Sequence, residues 1–446
     1  MNDKASLIDA LDQAHRTLAD LVLSLSDRQR NVPYHPGINP PTWEWGHAAF
    51  FFEIFLLREL DNIDPIMPSM DNNWDSFNLD HKDRWQPGVV PSVKETQEYV
   101  EAVYQRIRQR IECIPLTPKD LYLYKYCIFH QYMHIESLVW CRQTLGYPAP
   151  ALEKKQQYYF NTLPVLEDAV IPAGDYFIGQ PADLPDFAGE NFSFDAEKPG
   201  FTRHLDEFHI SKTLVSRGEF LNFIQDGGYE RSALWSFGGK KWLAAQRTRD
   251  VDMTRLDTLQ AGPIYWRKQN GVWQERVFDQ WQPLNLAAPL VHVTYWESEA
   301  WCHWAGRRLP TEFEWEAAAL GNRADDSKMP PFRSFPWGRQ MDSTRVDMDR
   351  ACLAQCPVSA FEQGQSPFGL IQCIGTAWEW TSTQFLPYHG FKVDMYPYMS
   401  TLQFGYHKVT RGGSCATSSN LIRGTYRQAY LPFRRDVFVG FRTCQL

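Results

Sequence analysis

Residues 121–150 read LYLYKYCIFHQYMHIESLVWCRQTLGYPAP, and this stretch decides how the first third of the chain folds. From Leu121 to Leu145 the residues are largely apolar or aromatic, with no Gly or Pro among them. Gly146 then ends the run, and Pro148 and Pro150 follow. That pattern predicts one long helix with a glycine stop. Within it His130 and His134 stand four apart, so both imidazoles leave the same face and can chelate one metal ion. Two simply packed histidines satisfy the same spacing. Glu136 lies two residues past His134 and points elsewhere, as a group that orients a histidine or packs. Position 131 is Gln, so the carboxylate base of an HEXXH metalloprotease is missing.

Upstream, the same periodicity predicts three more helices. Ser6–Ser26 carries Leu7, Ile8, Leu11, Leu18, Leu21, Val22 and Leu25 at helical spacing. Trp43–Leu60 follows Pro40-Pro41, with Thr42 as its expected cap. Ser92–Ile114 lines up Val93, Val100, Val103, Tyr104 and Ile107 on one side. Four long helices with one longer connection, 61–91, make an up-and-down bundle. His47 sits in the second of them, in WEWGHAAF, and its apolar flanks turn it inward. Bundle interiors are where facing helices build metal sites. Three neutral imidazoles would leave coordination positions open, and they suit zinc, copper, iron or nickel.

The texture changes after about residue 155, where short apolar runs alternate with Gly, Pro and Asn clusters. Val170–Gly174 and Tyr176–Gly179 are examples. The helical signals left are short, at 216–225, 294–305 and 311–320. We expect a helical domain over 1–155 carrying the metal site, a linker near 147–162, and a mixed α+β domain over 156–446 that completes the active site.

Composition narrows the function classes. The 446 residues hold 45 Lys+Arg against 53 Asp+Glu, a formal charge of −8, which gives no electrostatic footprint for nucleic acid or an anionic membrane. No apolar run approaches the ~18 residues of a membrane span, and residues 1–16 lack the apolar core of a signal peptide. The nine Cys are scattered without a CxxC pair, and Cys352 and Cys356 alone do not make a zinc site. These features predict a cytoplasmic protein with mostly free thiols.

Several later segments carry a specific signature: GRRLPTEFEWEA at 306–317, FPWG at 335–338, GTAWEWT at 375–381, RGGS at 411–414 and VGFR at 439–442. Over roughly 165–446 they resemble the formylglycine-generating-enzyme (sulfatase-modifying-factor) fold, a C-type-lectin-like scaffold with little regular structure. Residues 1–150 resemble the DinB-type four-helix bundle. Bundle followed by formylglycine-type domain is the order found in the nonhaem iron sulfoxide synthases of ergothioneine and ovothiol biosynthesis and in the related selenoneine synthases. Their motif is a His in the second helix plus H-x-x-x-H-x-E in the fourth, which falls here on His47, His130, His134 and Glu136.

The resemblance implies Fe(II) held by three histidines and O2 as co-substrate. It implies small-molecule substrates: hercynine, whose imidazole is joined to a chalcogen, and a selenosugar or thiol donor. A second-domain tyrosine gives a proton or hydrogen atom, and the matching stretch, 394–400, offers Tyr396 first and Tyr398 second. Gln428 falls where ergothioneine synthases contact the substrate. Tyr430 stands where γ-glutamylcysteine-using enzymes carry an acid for the donor's amine, an ammonium partner that is lost here. Met133 precedes the second ligand, as in the selenoneine synthases. The segments DRW at 83–85, RQTLGYPAP at 142–150, FGYHK at 404–408 and RDVFVGFRTC at 435–444 are similar to that branch too. Arg84 is a donor contact or a structural ion-pair residue. Selenium is thus the expected chalcogen, with an ergothioneine-type sulfur donor as the alternative.

Two rival classes follow from the same segments. A formylglycine-generating oxidase needs two copper-binding cysteines soon after RGGS, but CATSSN at 415–420 offers only Cys415. A non-enzymatic lectin-like binding module would have no use for the three-histidine set.

Overall fold

The computed structural model describes residues 3–151, 167–181, 192–248, 262–324 and 333–446, without the side chains of 247, 248 and 398. Most of the 147–162 linker expectation therefore lies outside the described residues. The chain divides into two compact units, Met1–Pro150 with Asp183–Phe192, and Ala151–Ala182 with Ser193–Leu446.

The first unit is a four-helix bundle. Its long helices are α1 (Lys4–Leu23), α3 (Pro41–Phe52), α6 (Val93–Cys113) and α7 (Pro118–Leu145). Short pieces lie between them: α2 (Asp27–Arg30), α4 (Glu59–Asp61) and α5 (Asp71–Trp74). Helices α1 and α3 each pack against both α6 and α7. Capping boxes at Asp3, Ser92 and Thr117 satisfy the first amides of α1, α6 and α7. Gly146 closes α7 at φ 66°, the left-handed stop that the sequence announces.

The second helix corrects its expectation. Thr42 is not a cap: α3 begins at Pro41, whose fixed φ suits the first helical position, and Pro40 precedes it with no side-chain cap. All 12 residues of α3 are buried, so its faces are set by neighbours on every side. The helical path then widens into a π-turn at Glu53–Arg58 before α4. Glu53 is fully buried there and accepts from Arg58 Nε (2.8 Å), Ile66 N (2.9 Å) and Tyr99 Oη (2.5 Å). A buried carboxylate needs that many partners.

The second unit mixes short sheets, helices and long irregular stretches. Strands β1 (Asp168–Ile171), β4 (Phe208–Ser211), β8 (Arg307–Arg308) and β13 (Cys444–Gln445) form one sheet in the order β1-β4-β13-β8. A second sheet is ordered β11-β10-β9-β12, from β9 (Trp378–Gln384), β10 (Lys408–Arg411), β11 (Gln428–Tyr430) and β12 (Val439–Gly440). β2 (Gly174–Ile178) pairs with β3 (Phe201–Leu205), and β5 (Trp266–Gln269), β6 (Val272–Val277) and β7 (Gln280–Pro283) make a meander. The helices are α8 (Arg217–Gln225), α9 (Phe237–Thr248), α10 (Tyr295–Ala305) and α11 (Glu312–Leu320). Ser216, Thr294 and Thr311 cap α8, α10 and α11, so each expected helix begins one residue later.

The sequence signatures of this unit resolve into buried charge pairs. Arg442 meets Glu379 in two hydrogen bonds of 2.6 and 2.9 Å, Arg427 meets Glu312 at 2.8 and 2.9 Å, and Arg411 meets Glu316. Trp315 adds its indole N–H to Glu379 at 2.9 Å. The glycines are required where backbones touch. At Gly412 (φ 94°) a Cβ would lie 2.5 Å from Cys373 O, and at Gly375 (φ 79°) 2.6 Å from Asp347 O.

Candidate metal centre and substrate residues

His47 on α3 and His130 and His134 on α7 come together inside the bundle. One nitrogen from each lies within 4.8 Å of the others. The ring centroids are 5.2 Å (His47–His130), 5.0 Å (His47–His134) and 4.6 Å (His130–His134) apart. The Nε2 atoms of His130 and His134 are 3.3 Å apart. Two imidazole nitrogens bound to one ion at about 2.0–2.1 Å take up such a separation. His47 Nδ1 lies 2.6 Å from the carbonyl of Trp74, which can only accept, so His47 donates there and its Nε2 keeps a lone pair. Burial holds His47 and His130 well below the ordinary histidine range, and the neighbouring imidazoles push the same way. Both are neutral ligands in waiting. The donor set therefore fits a first-row transition ion such as Fe(II).

Aromatic walls fix the rings. Trp43 stacks on His47 at 4.7 Å and 9°, and Phe51 stacks on His130 at 3.8 Å and 15°. The segment ending in α5 grips α3 twice, through Asn73 O to the Trp43 indole (2.7 Å) and Trp74 O to His47. Gly46 allows that approach: a Cβ there would meet Trp74 Nε1 at 2.2 Å.

Sequence reasoning missed the carboxylate beside the site. Glu44 is buried one turn before His47, and its Oε2 lies 3.8 Å from His134 Nδ1. Its Oε1 accepts from Asn39 Nδ2 at 2.8 Å and Ser137 Oγ at 2.6 Å. Arg84 Nη1 donates to Asn39 Oδ1 at 2.6 Å, and its guanidinium lies 3.8 Å over Trp43. Arg84 thus reaches the histidines through two routes, the Trp43 ring and the Asn39–Glu44 link. The signal was available, because an acid inside the apolar run Trp43–Phe52 must find a partner. Glu136 is buried on α7, and Met133 is half-buried beside His134 in sequence.

Replacing Glu44 with Gln is expected to keep the Asn39 contact region filled but remove the charge facing His134. Metal affinity should fall by about 10–100-fold, the usual cost of losing such a partner. Chelator competition measures it, and an unchanged affinity would show that Glu44 serves only the Asn39 and Ser137 hydrogen bonds.

The other expected residues lie in the second unit. Gln428 and Tyr430 alternate on β11 and so face the same side of the sheet. Gln428 Oε1 accepts from Ala429 N at 2.9 Å. Tyr430 is buried, with Trp380 at 6.5 Å and the Arg434 guanidinium 5.6 Å from its ring. Tyr396 is buried at the start of the turn Pro397–Met399, and the side chain of Tyr398 lies outside the described residues.

Comparison with known proteins adds relatives to this geometry. The chain is 28% identical over 448 aligned residues to the hercynine oxygenase of Mycolicibacterium smegmatis, covering 98% of each protein. It is 29% identical to the hercynine oxygenase of Mycobacterium tuberculosis, covering 94% of each. The formylglycine-generating enzyme of Bos taurus is 27% identical over 257 residues, 55% of this chain and 64% of that protein. The DinB superfamily model matches residues 10–138, which contain all three histidines but His134's neighbours only up to Leu138. The sulfatase-modifying factor enzyme 1-like domain matches residues 158–445, well over half of the chain, which therefore belongs to that family and carries a DinB-type bundle ahead of it.

Proposed function

We propose that the chain is a nonhaem Fe(II), O2-dependent oxidoreductase that forms a carbon–chalcogen bond on the imidazole of hercynine. The observation that carries this reading is the convergence of His47, His130 and His134 in a chain similar, along nearly its whole length, to hercynine oxygenases. Fe(II) bound by these histidines would supply O2 activation and open positions that hold two substrates side by side. In the overall reaction an imidazole C–H bond and a chalcogen–H bond break and the carbon–chalcogen bond forms. Of the O2, one atom goes to the chalcogen and the other leaves as water with the two hydrogens.

The chain's own residues have separable tasks. Trp74 O holds the Nδ1 proton of His47, and Glu44 faces Nδ1 of His134. Trp43 and Phe51 exclude water from the imidazole faces. Tyr396, or Tyr398 after it, gives the proton or hydrogen atom, and Gln428 contacts hercynine. Glu136 supports the ligand helix.

A selenosugar is the donor this reading favours. Tyr430 offers a phenol and an aromatic face beside Trp380 and Arg434. The nearby acid Asp436 is paired with Arg434 at 2.6 Å. Sugar hydroxyls suit that surface better than an ammonium group does. A thiol donor, cysteine or γ-glutamylcysteine, is compatible with the same metal centre and is the second reading. All nine cysteines are free thiols, which supports a reducing, cytoplasmic setting. Among the described residues no helix is long and apolar enough to cross a membrane.

The test is aerobic incubation of the Fe(II)-loaded protein with hercynine and, in parallel, a selenosugar, cysteine or γ-glutamylcysteine, followed by mass spectrometry. A selenium-bearing hercynine adduct formed only with the selenosugar supports the favoured donor. A sulfoxide adduct formed with a thiol moves the chain to the sulfur reading. Unconsumed hercynine in every reaction would overturn both.

A further inference from the structure

We propose that Asp347, Cys352 and Cys356 form a second metal site, for a thiophilic divalent ion of the zinc type. The site lies wholly within the second unit and is independent of the histidine centre and of the reaction assigned to it. One ligand atom from each of the three residues lies within 4.8 Å of the others, and all three residues are buried.

The carboxylate supplies the strongest argument. Asp347 is fully buried, and among the described residues no Lys, Arg or His forms an ion pair with it. Its carboxylate accepts from Cys352 N on Oδ1 at 2.9 Å and from Ala354 N on Oδ2 at 3.0 Å, and both thiols lie against it, Cys356 Sγ at 3.7 Å from Oδ2. Buried carboxylates are ordinarily paired with a cation or bound to a metal. Arg217, whose guanidinium touches this loop at Ala354 and Gln355, is already committed to Glu275 at 2.5 Å. Its remaining donors hold Ala354 O at 2.9 Å and Gln355 Oε1 at 3.2 Å.

The loop is built to keep these groups together. Between the carboxylate and the second thiol, four non-glycine residues take left-handed φ: Asp349 (52°), Arg350 (67°), Leu353 (50°) and Ala354 (57°). The backbone is fixed from outside by Asp349 N to Thr417 O at 3.1 Å and Arg350 N to Cys415 O at 2.7 Å. The two amides on Asp347 orient it as partners of a ligating carboxylate do. Two sulfurs and one carboxylate oxygen select zinc over calcium or magnesium, which take oxygen ligands, and the carboxylate argues against copper(I). Three protein ligands leave a fourth tetrahedral position for water or another donor. Each thiol gives its proton to solvent as its sulfur bonds the ion, so two protons leave per ion and no oxidant is needed.

Anaerobic titration of the reduced, metal-free, full-length protein with Co2+ tests the proposal. The histidine set contains no sulfur, so a near-ultraviolet sulfur-to-cobalt charge-transfer band reports thiolate ligation apart from it, and Cys352→Ser assigns the band to this site. We expect that band to saturate at one equivalent, to disappear when Zn2+ is added, and to be lost in Cys352→Ser while the histidine-site cobalt spectrum persists. Asp347→Asn should shift the band and weaken cobalt binding by at least tenfold. No charge-transfer band in the unaltered protein would overturn the proposal, as would a band unchanged in Cys352→Ser. A Cys352–Cys356 disulfide that re-forms under reducing conditions and blocks cobalt would overturn it as well.

Discussion

Replacing His130 with Ala is expected to lower metal affinity by more than about 100-fold, because even the loss of a partner that only supports a ligand costs ~10–100-fold. That is at least ~2.7 kcal/mol of binding free energy. His134→Ala and His47→Ala should do the same, since each removes one of three imidazoles and no other His, Cys, Asp or Glu completes the group among the described residues. Hercynine turnover should fall with the metal. Elemental analysis after dialysis and chelator competition measure the first effect, and mass spectrometry the second. His130 is the most exacting case. It is buried against Phe51, so near-ultraviolet circular dichroism must show that the bundle still packs. A lectin-like binding module would lose nothing in any of the three variants. Unchanged metal content in all of them would remove the site itself.

Much of this centre could be read in the sequence because it rests on local rules. The i, i+4 pair His130 and His134 lies in a helix with a clear glycine stop, and the helices capped by Ser92, Ser216, Thr294 and Thr311 start within one residue of expectation, whereas α7 starts at Pro118, three residues before the expected Leu121, behind the Thr117 cap. What stayed hidden depends on tertiary neighbours. Asn39, Glu44 and Ser137 form one hydrogen-bonded group only after α3 and α7 pack. The π-turn at Glu53–Arg58 answers to Tyr99 on a distant helix. Helix α9 was missed because Gly238 and Gly239 near its start argue against a helix. The fold needs at least the first of them bare, since a Cβ at Gly238 would lie 2.7 Å from the Trp296 indole nitrogen. Asp347 stayed out of view for the same reason: no spacing rule links it to Cys352 and Cys356 across a loop of left-handed residues.

Replacing Arg442 with Met should destabilise the second unit by about 3–5 kcal/mol, the cost of leaving one member of a buried pair without its partner. Arg442 and Glu379 are both fully buried. Beyond the two bonds to Glu379, the guanidinium donates to Ser211 O (3.2 Å), Lys212 O (3.2 Å) and Ile371 O (3.1 Å). One side chain thereby ties together the C-terminal end of β4, the loop before Gly375 and strand β9. For domains of roughly this size each kcal/mol moves Tm by ~2–4 °C, so calorimetry should register a fall of about 6–20 °C. Replacing Glu379 with Gln as well should recover part of that loss, because no uncompensated charge is then buried. The consequence for function is specific. β9 pairs with β10, and β10 with β11, the strand that carries Gln428 and Tyr430. Turnover should therefore drop in Arg442→Met at temperatures where the bundle still binds metal with unchanged affinity, since His47, His130 and His134 lie in the other unit. A variant that loses metal affinity in step with turnover would contradict that division of labour, and would make the second unit part of what holds the metal.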